Sequence, residues 1–262
     1  MRERDEIIEV SGNRLHTRRF DGEADLAPLL FLHEGLGSVE LWRDFPAELA
    51  ARTGHPAFVY SRRGYGWSDA IDEAPGRDYM HREALEVLPE IVATHLRHTP
   101  ILIGHSDGAS IAIIYAGSGH AVAGLVLIAP HVFVEEGGLE SIRALDAGYR
   151  SSDLGEKMAR YHVDPEATFR RWAGAWLDPG FRSWNIEEYL VGIRCPILLL
   201  QCEDDEYGSL RQLDAIEARL PGQVERLVLP GTGHSPHLIH PGAVTAATVR
   251  FVASIRNGSP SA

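Results

Sequence analysis

The ten residues from 101 to 110, ILIGHSDGAS, place a serine at a junction between two kinds of secondary structure. The first three residues are apolar, as in a buried strand, and the apolar run after position 108 is typical of a buried helix. Ser106 lies between them, with Gly104 two residues before it and Gly108 two residues after it. Because glycine has no Cβ, this spacing predicts a crowded strand–turn–helix in which neighbouring backbone leaves no room for side chains.

Such a turn would expose the hydroxyl of Ser106 at the edge of a sheet. A serine hydroxyl is a weak nucleophile unless a base takes its proton and hydrogen-bond donors stabilise the oxyanion that forms. The turn would aim the backbone N–H of Asp107 and the start of the helix at the reacting centre. We therefore predict that Ser106 is a nucleophile, the alternative being an ordinary serine that caps a helix.

Along most of the chain, apolar runs alternate with amphipathic helices, which predicts β-α-β units and a mostly parallel sheet covered on both faces. Before them, alternation in EIIEVSGNRLHTRRF predicts an antiparallel hairpin that turns at Gly12-Asn13. The later strands are expected within the segments 27–34, 55–69, 101–105, 121–130, 195–205 and 224–234.

The strand pattern stops from His131 to about Ile193, where helical segments carry several tryptophans. We interpret residues 131–193 as a helical lid inserted over the carboxyl ends of the strands, where open α/β sheets bind ligands. The core is then expected at 1–130 and 194–257, with a disordered tail at 258–262.

A base for the serine should lie in a loop at the same sheet edge, and His234 directly follows the last predicted strand. His237 and His240 are competitors, but they follow Pro236 and are expected to begin or cap a helix at the surface. The three histidines could also suggest a metal cluster, yet their spacing spreads them over too wide an arc, so no metal site is predicted.

An acid that orients the histidine is expected after the preceding strand. Four carboxylates follow in a row there, and the residues alone do not choose among them: Glu203, Asp204, Asp205 and Glu206.

Three ordered motifs make the chain resemble the α/β-hydrolase family over nearly its whole length. They are GHSDG around Ser106, FLHEGLGS like the family's HG-x oxyanion loop, and YSRRGYGWSD like its R-G-x-G-x-S turn. The resemblance implies a three-layer sandwich with eight mostly parallel strands, a helical lid after strand six, and a Ser–Asp–His triad. Aligning LLLQCEDDEYGS with the family's G-x-x-D loop selects Asp205 ahead of Asp204, so the implied triad is Ser106, Asp205 and His234.

The resemblance also implies an oxyanion hole made of the backbone N–H groups of Gly35 and Asp107, with Leu36 as the alternative to Gly35. The alternative arises because Glu34 stands where the family usually has glycine. A carboxylate beside the oxyanion must be turned away, paired or protonated, and Arg62, Arg63 or a lid hydroxyl are the expected partners. His33 is expected to brace this loop rather than to catalyse.

The implied chemistry is acyl transfer, because the family's haloalkane dehalogenases and epoxide hydrolases use aspartate in place of this serine. We predict a serine hydrolase for a small, uncharged carboxylic ester, lactone or thioester. A C–C bond hydrolase, a cofactor-free haloperoxidase and a non-catalytic receptor of the same fold remain alternatives. Besides Glu34, His131 could contact substrate, and about two of five lid aromatics are expected to do so, Trp172 and Trp176 first, then Phe169, Phe181 and Trp184.

Composition bounds the remaining expectations. The formal charge is −12, from 37 acidic and 25 basic residues, which argues against nucleic acid and anionic membranes as partners. No stretch resembles a signal peptide or a membrane span, so a cytoplasmic monomer or homodimer that acts on a small molecule is expected. No cofactor motif is present, and Cys195 and Cys202 are expected to be reduced, since the ends of the intervening strand would lie too far apart for a disulfide.

Overall fold

A single eight-stranded sheet forms the centre of the protein in a computed structural model that describes residues 2–72, 76–220 and 224–258. The strands are β1 (Glu3–Val10), β2 (Asn13–Phe20), β3 (Leu29–Leu32), β4 (Ala57–Tyr60), β5 (Ile101–His105), β6 (Gly124–Ile128), β7 (Ile197–Asp204) and β8 (Val224–Thr232). Their order across the sheet is β1-β2-β4-β3-β5-β6-β7-β8. The pairs β1/β2 and β2/β4 are antiparallel and all the other pairs are parallel, which confirms the predicted fold class.

The helices alternate with the strands from β3 onward. They are α1 (Phe45–Thr53), α2 (Tyr79–Arg82), α3 (Leu88–His95), α4 (Asp107–Gly117), α5 (Glu136–Gly148), α6 (Leu154–Met158), α7 (Pro165–Leu177), α8 (Glu187–Leu190), α9 (Arg211–Arg219), α10 (Pro236–Ile239) and α11 (Pro241–Gly258). A π-helical turn, Glu83–Val87, joins α2 to α3, and short 3₁₀ turns lie at Val39–Trp42, Tyr149–Ser151 and Pro179–Ser183.

Successive residues of the central strands point to opposite faces of the sheet, and both faces are covered. Leu29 and Phe31 of β3 pack with α1 and α11, whereas Leu30 and Leu32 of the same strand pack with α3 and α4 on the other side. A strand buried on both faces must be apolar at every position, which explains the continuous apolar runs in the sequence. The result is a three-layer α/β sandwich.

The N-terminal hairpin turns one residue earlier than predicted. Val10 pairs with Asn13, so the two loop residues are Ser11 and Gly12, with φ of 49° and 73°. Positive φ at both central positions defines the tight turn that matches the twist of a hairpin, and it places Asn13 in the strand.

Residues 131–193 contain α5 to α8 and one isolated bridge between Phe133 and Asn185, and they connect β6 to β7. At the other end of the chain, α11 continues to Gly258, and the rest of the predicted tail, 259–262, lies outside the described residues. Within the described residues, no helix has both the length and the hydrophobicity that crossing a bilayer would require.

Candidate active site

Ser106 occupies a strained turn between β5 and α4. Its φ of 53° and ψ of −117° lie in a region that side-chain-bearing residues rarely adopt and that costs roughly 1–3 kcal/mol. Main-chain hydrogen bonds on both sides hold the turn: the N–H of Ser106 donates to Ile128 at 2.9 Å, and its carbonyl oxygen accepts from Ala109 at 2.9 Å. The surrounding fold therefore imposes this conformation on the serine.

The two glycines of the motif are sterically required. A Cβ on Gly108 would overlap the main-chain oxygen of Leu32, and a Cβ on Gly104 would lie 2.6 Å from Cα of Ala109. Backbone atoms of central elements cannot move aside as a flexible side chain could. The crowding predicted from the glycine spacing is confirmed.

Asp205 and His234 meet at the carboxyl ends of β7 and β8. Nδ1 of His234 lies 2.8 and 2.9 Å from the two carboxylate oxygens, and the side chain of Asp205 is only 1% exposed. Burial opposes ionisation of Asp205, but hydrogen bonds from His234 and from the N–H of Tyr207 outweigh it and lower the pKa of the carboxyl. An ionised acceptor at Nδ1 keeps the proton there and leaves Nε2 of His234 available as a base.

The other three carboxylates of the row do not reach the histidine. Glu203, Asp204 and Glu206 have exposed side chains, and Asp204 contributes only its main-chain oxygen, which accepts from the N–H of Gly233 at 3.3 Å.

Ser106 and His234 face a cavity of about 320 Å³. Its apolar wall consists of Leu36, Ile142, Trp172, Trp176, Tyr207 and Ile239. Gly35, Asp107 and His131 line it as well, so the cavity collects every predicted site residue except Asp205, which lies behind His234. Among the described residues, the lining includes four carboxylic acids, Glu34, Asp107, Glu135 and Glu206, but no lysine or arginine.

Two of the five predicted aromatic residues, Trp172 and Trp176, line this cavity. The other three pack within the helical segment instead: Phe169 stacks on Tyr149 at 4.2 Å between ring centroids, and Phe181 stacks on Trp184 at 5.4 Å. They are structural residues of the insertion.

His131 follows β6 and sits between Trp176 and His234, at 5.4 and 5.5 Å between ring centroids. Burial, and then the neighbouring His234, lower the pKa of His131 to about 3. The ring is therefore neutral near pH 7 and can offer one donor and one acceptor to the cavity.

As predicted, His33 braces the loop after β3. Its Nδ1–H donates to the main-chain oxygen of Glu34 at 2.7 Å, and its Nε2 accepts the N–H of Arg62 at 3.0 Å. The guanidinium of Arg62 and the N–H of Gly37 each donate to the same Glu34 oxygen at 3.0 Å. The C=O of Glu34 and the N–H of Gly35 belong to one planar trans peptide and point in opposite directions. The hydrogen bonds to the oxygen therefore also fix the direction of the N–H.

The carboxylate of Glu34 pairs with His105, not with the arginines predicted as partners. Its Oε2 lies 3.3 Å from Nδ1 of His105. The guanidinium of Arg62 donates to the main-chain oxygens of His33 and Glu34, and Arg63 donates to the carbonyl of Ala70 at 3.1 Å. Burial disfavours the charge on Glu34, but the hydrogen bond and charge of His105 outweigh it, so the pKa of Glu34 lies well below its ordinary value.

His237 is buried, which corrects its predicted place at the surface. Its ring lies 4.9 Å from that of His105 and 5.1 Å from that of Trp42 between centroids. The short helix α10 begins at Pro236 and directs this histidine inward, although Leu238 and Ile239 after it are exposed. A one-turn helix of mixed polarity carries no periodic signal that could have shown this from the sequence.

Three further contacts were not predicted. Tyr207 lies two residues after Asp205 and packs its ring 4.8 Å from that of His234. The side chain of Asp107, considered from the sequence only for its backbone, accepts a hydrogen bond from the hydroxyl of Tyr79 at 2.6 Å, and that hydroxyl accepts from Trp176 at 3.0 Å.

Of the three histidines whose spacing could suggest a metal cluster, His234 bonds Asp205 and His240 bonds the main chain. Nε2 of His240 lies 2.9 Å from the main-chain oxygen of Pro230. Elsewhere among the described residues, one group has ligand-like spacing, made of Asp5, His16 and Glu40. The guanidinium of Arg18 already donates to both of its carboxylates, at 2.6 and 2.8 Å, and so supplies the cation.

Comparison with known proteins gives the family. Residues 29–248 match the model of the alpha/beta hydrolase family, and the chain belongs to that family. No curated protein matches it in sequence.

Solved structures share the fold at low sequence identity. The esterase RhEst1 from Rhodococcus sp. ECU1013 is 23% identical with a TM-score of 0.72, over 97% of this chain and 100% of that one. The carboxylesterase CesB from Bacillus subtilis is 18% identical with a TM-score of 0.72, over 97% and 93%. The haloalkane dehalogenase DbeA from Bradyrhizobium elkani is 17% identical with a TM-score of 0.79, over 98% and 100%. Because these proteins differ in chemistry, the reaction must be argued from the site.

Proposed function

We propose that this hydrolase cleaves small, uncharged carboxylic esters, or the related lactones and thioesters, through an acyl-enzyme on Ser106. The observation that carries the proposal is the buried Asp205–His234 pair facing the same cavity as a serine in a strained strand–helix turn. A nucleophile, a base and a group that orients the base are the parts that serine acyl transfer needs.

In the proposed reaction, Oγ of Ser106 attacks the ester carbonyl while Nε2 of His234 takes the hydroxyl proton. The tetrahedral intermediate collapses as the leaving alcohol accepts that proton from His234. A water molecule, deprotonated by the same nitrogen, then attacks the acyl-enzyme and releases the carboxylic acid and free Ser106. Asp205 stays ionised throughout and stabilises the imidazolium that forms in each half of the cycle.

The N–H groups of Gly35 and Asp107 are the proposed oxyanion donors. The direction of the Gly35 N–H is supported by the three hydrogen bonds that hold the preceding carbonyl oxygen. Asp107 is the first residue of α4, and the first N–H groups of a helix have no acceptor within the helix. Leu36, which also lines the cavity, remains the alternative to Gly35.

Cavity size and charge support the substrate class. A volume of about 320 Å³ suits a small molecule, and the walls are largely apolar. Four acidic residues without a described lysine or arginine disfavour an anionic substrate, including the carboxylate-bearing substrates of C–C bond hydrolases. Ser106 stands where the family's haloalkane dehalogenases have an aspartate nucleophile. This difference disfavours dehalogenation, although the fold is similar to that of a dehalogenase.

We further propose that residues 131–193 form a lid that selects the substrate. The support is that Gly138 and Ile142 of α5 and Trp172 and Trp176 of α7 line the cavity. These residues would contact the acyl or alcohol group, while His131 would offer a neutral hydrogen bond beside the base.

Hydrolysis of 4-nitrophenyl acetate and butyrate tests the function. The wild type should release nitrophenol, and Ser106→Ala should lower kcat/KM on the order of 10³-fold or more. Ser118→Ala, an exposed serine that follows the same helix α4, is the matched control and should keep the wild-type rate. A fluorophosphonate should modify Ser106, as located by mass spectrometry. Equal rates in Ser106→Ala and wild type, or binding of esters without turnover, would argue for another reaction or a receptor.

A further inference from the structure

His105 connects three loops at the carboxyl edge of the sheet. Its Nε2 lies 2.7 Å from the main-chain oxygen of His234, and its Nδ1 lies 3.3 Å from Oε2 of Glu34. The side chain is only 1% exposed, so water cannot take the place of either partner. His105 also directly precedes Ser106 in the chain.

The two partners determine how protons are arranged on this ring. A carbonyl oxygen can only accept, so Nε2 of His105 carries a hydrogen. A bare Nδ1 would then point its lone pair at a carboxylate, which is repulsive. A proton must therefore lie between Nδ1 and Glu34, and ionised Glu34 makes the ring an imidazolium that donates at both ends.

The loop that holds His234 needs such an anchor. β8 is the edge strand of the sheet and is separated from β5 by β6 and β7. Gly231 and Gly233, which precede the histidine, have φ of 86° and 135°, and glycine restrains its backbone least of all residues. The bond to His105 ties this loop back to the central strand that ends at the nucleophile.

We propose that Glu34 and His105 are positioning residues that hold the backbone of His234 over Ser106, as Asp205 holds its ring. The inference rests on the proposed function of Ser106 and His234. The pair also restrains the oxyanion loop, because Glu34 directly precedes Gly35. One ion pair, with a buried histidine and a partly exposed carboxylate, thus sets the relative positions of nucleophile, base and oxyanion donor.

Other titratable groups face His105 from the neighbouring elements: His131 after β6, Asp205 after β7, His234 after β8 and His237 in α10. His131 and His237 have pKa values lowered to about 3 by burial and are neutral near pH 7. Burial also favours the neutral ring of His105, but Glu34 outweighs it and raises the pKa of His105.

This arrangement predicts an alkaline limit of activity that depends on Glu34. As pH rises through the raised pKa of His105, its Nδ1 loses the proton and faces the carboxylate, so the pair and the anchor weaken. In Glu34→Gln the amide can donate to a neutral Nδ1 while Nε2–H keeps its bond to His234. Both Glu34→Gln and Glu34→Ala should therefore hold their kcat to higher pH than the wild type does, and Glu34→Ala should have the lower kcat at every pH, because only the amide can donate to Nδ1.

The experiment compares kcat and KM on 4-nitrophenyl butyrate from pH 5 to 10 in wild type, His105→Phe, Glu34→Gln and Glu34→Ala. His105→Phe should lower kcat by about 10- to 100-fold with a much smaller change in KM, because the base is misplaced while the cavity walls remain. His55→Phe is the matched control, since His55 is a buried histidine whose Nδ1 lies 2.7 Å from the oxygen of Ala27 at the opposite edge of the sheet. It should lower Tm but leave kcat unchanged.

An activity-independent measurement separates this inference from the proposed function. In protein labelled with ¹⁵N-histidine, the ring of His105, assigned by its loss in His105→Phe, should be protonated at both nitrogens at pH 7 and singly protonated in Glu34→Gln. A neutral ring in the wild type would overturn the pairing whatever the enzyme hydrolyses. Normal kcat in a folded His105→Phe, with activity still dependent on Ser106, would overturn the positioning role and leave the proposed function intact.

Discussion

Both carboxylate oxygens of Asp205 lie within 2.9 Å of one ring nitrogen, Nδ1 of His234. The carboxylate thus straddles a single N–H, and its Oδ1 is held in turn by the N–H of Tyr207 at 2.9 Å. A buried acid restrained on both sides can fix the tautomer and the plane of the imidazole without moving during a reaction.

Asp205→Asn should lower kcat on the order of 10³-fold or more, because an amide can donate to Nδ1 and place the ring proton on Nε2, where the base must be free. Asp204→Asn should change kcat by less than about fivefold, since its exposed side chain has no described bond to the histidine. The two variants differ by one position and serve as each other's control in ester hydrolysis assays. A larger loss in Asp204→Asn would show that the neighbouring carboxylate orients the base.

Gly108→Ala should destabilise the fold by about 1–3 kcal/mol or more, because its Cβ would overlap the backbone of β3. Gly174→Ala is the matched control: this glycine lies in helix α7, is exposed, and has no atom within 4 Å of an added Cβ. Alanine there should be neutral or should stabilise by up to about 1 kcal/mol through helix propensity. Urea unfolding measures both changes, and equal stability of the two variants would contradict the close approach of α4 to β3.

Local pattern was sufficient for most of the fold. Strands such as β3 and β5 are buried on both faces, so their apolar runs are visible without tertiary information. The hairpin turn was misplaced because Ser11, not Asn13, takes the positive φ beside Gly12. Serine carries no strong signal for that conformation, so only the pairing of the two strands reveals it.

The site was less accessible to sequence reasoning because its contacts join distant segments. His105 and the oxygen of His234 are 129 positions apart, and nothing in either segment indicates that they meet. The choice of Asp205 rests on the family resemblance. The alternation of side chains along a strand could not select it, because the register of β7 and β8 shifts between Cys202 and Asp204.

The cavity should discriminate against negative charge. We expect kcat/KM for a neutral ester to exceed that for a matched ester bearing a carboxylate on its acyl chain, because the described lining has four acids and no lysine or arginine, and the positive charge of His105 is already paired with Glu34. Glu206→Gln, whose carboxylate is exposed at the cavity, should narrow the difference. Glu34→Gln should change it little, because His105 loses its positive charge together with the negative charge of Glu34. A wild-type preference for the anionic ester, unchanged in Glu206→Gln, would show that charge in the cavity does not select the substrate.

His237 should make the protein sensitive to mild acid. Burial, and then the nearby His105, lower its pKa from 6.5 to about 3. Between these values the unfolded chain takes up a proton that the folded protein does not bind. Above pH 6.5, His237 is neutral in both states and this difference costs no stability. As pH falls from 6.5 toward 3, the free energy of unfolding decreases by up to about 1.4 kcal/mol per pH unit.

His237→Phe removes this titration while keeping an aromatic ring against Trp42 and Phe45, at 5.1 and 5.5 Å in the wild type. The free energy of unfolding, measured in urea from pH 7 to pH 4, should fall less steeply in this variant than in the wild type. His98→Asn, which replaces an exposed histidine, is the control and should keep the wild-type slope. If His237→Phe also keeps that slope, the buried ring takes up a proton in the folded state, and His237 would have to find an acceptor among the groups around Glu34.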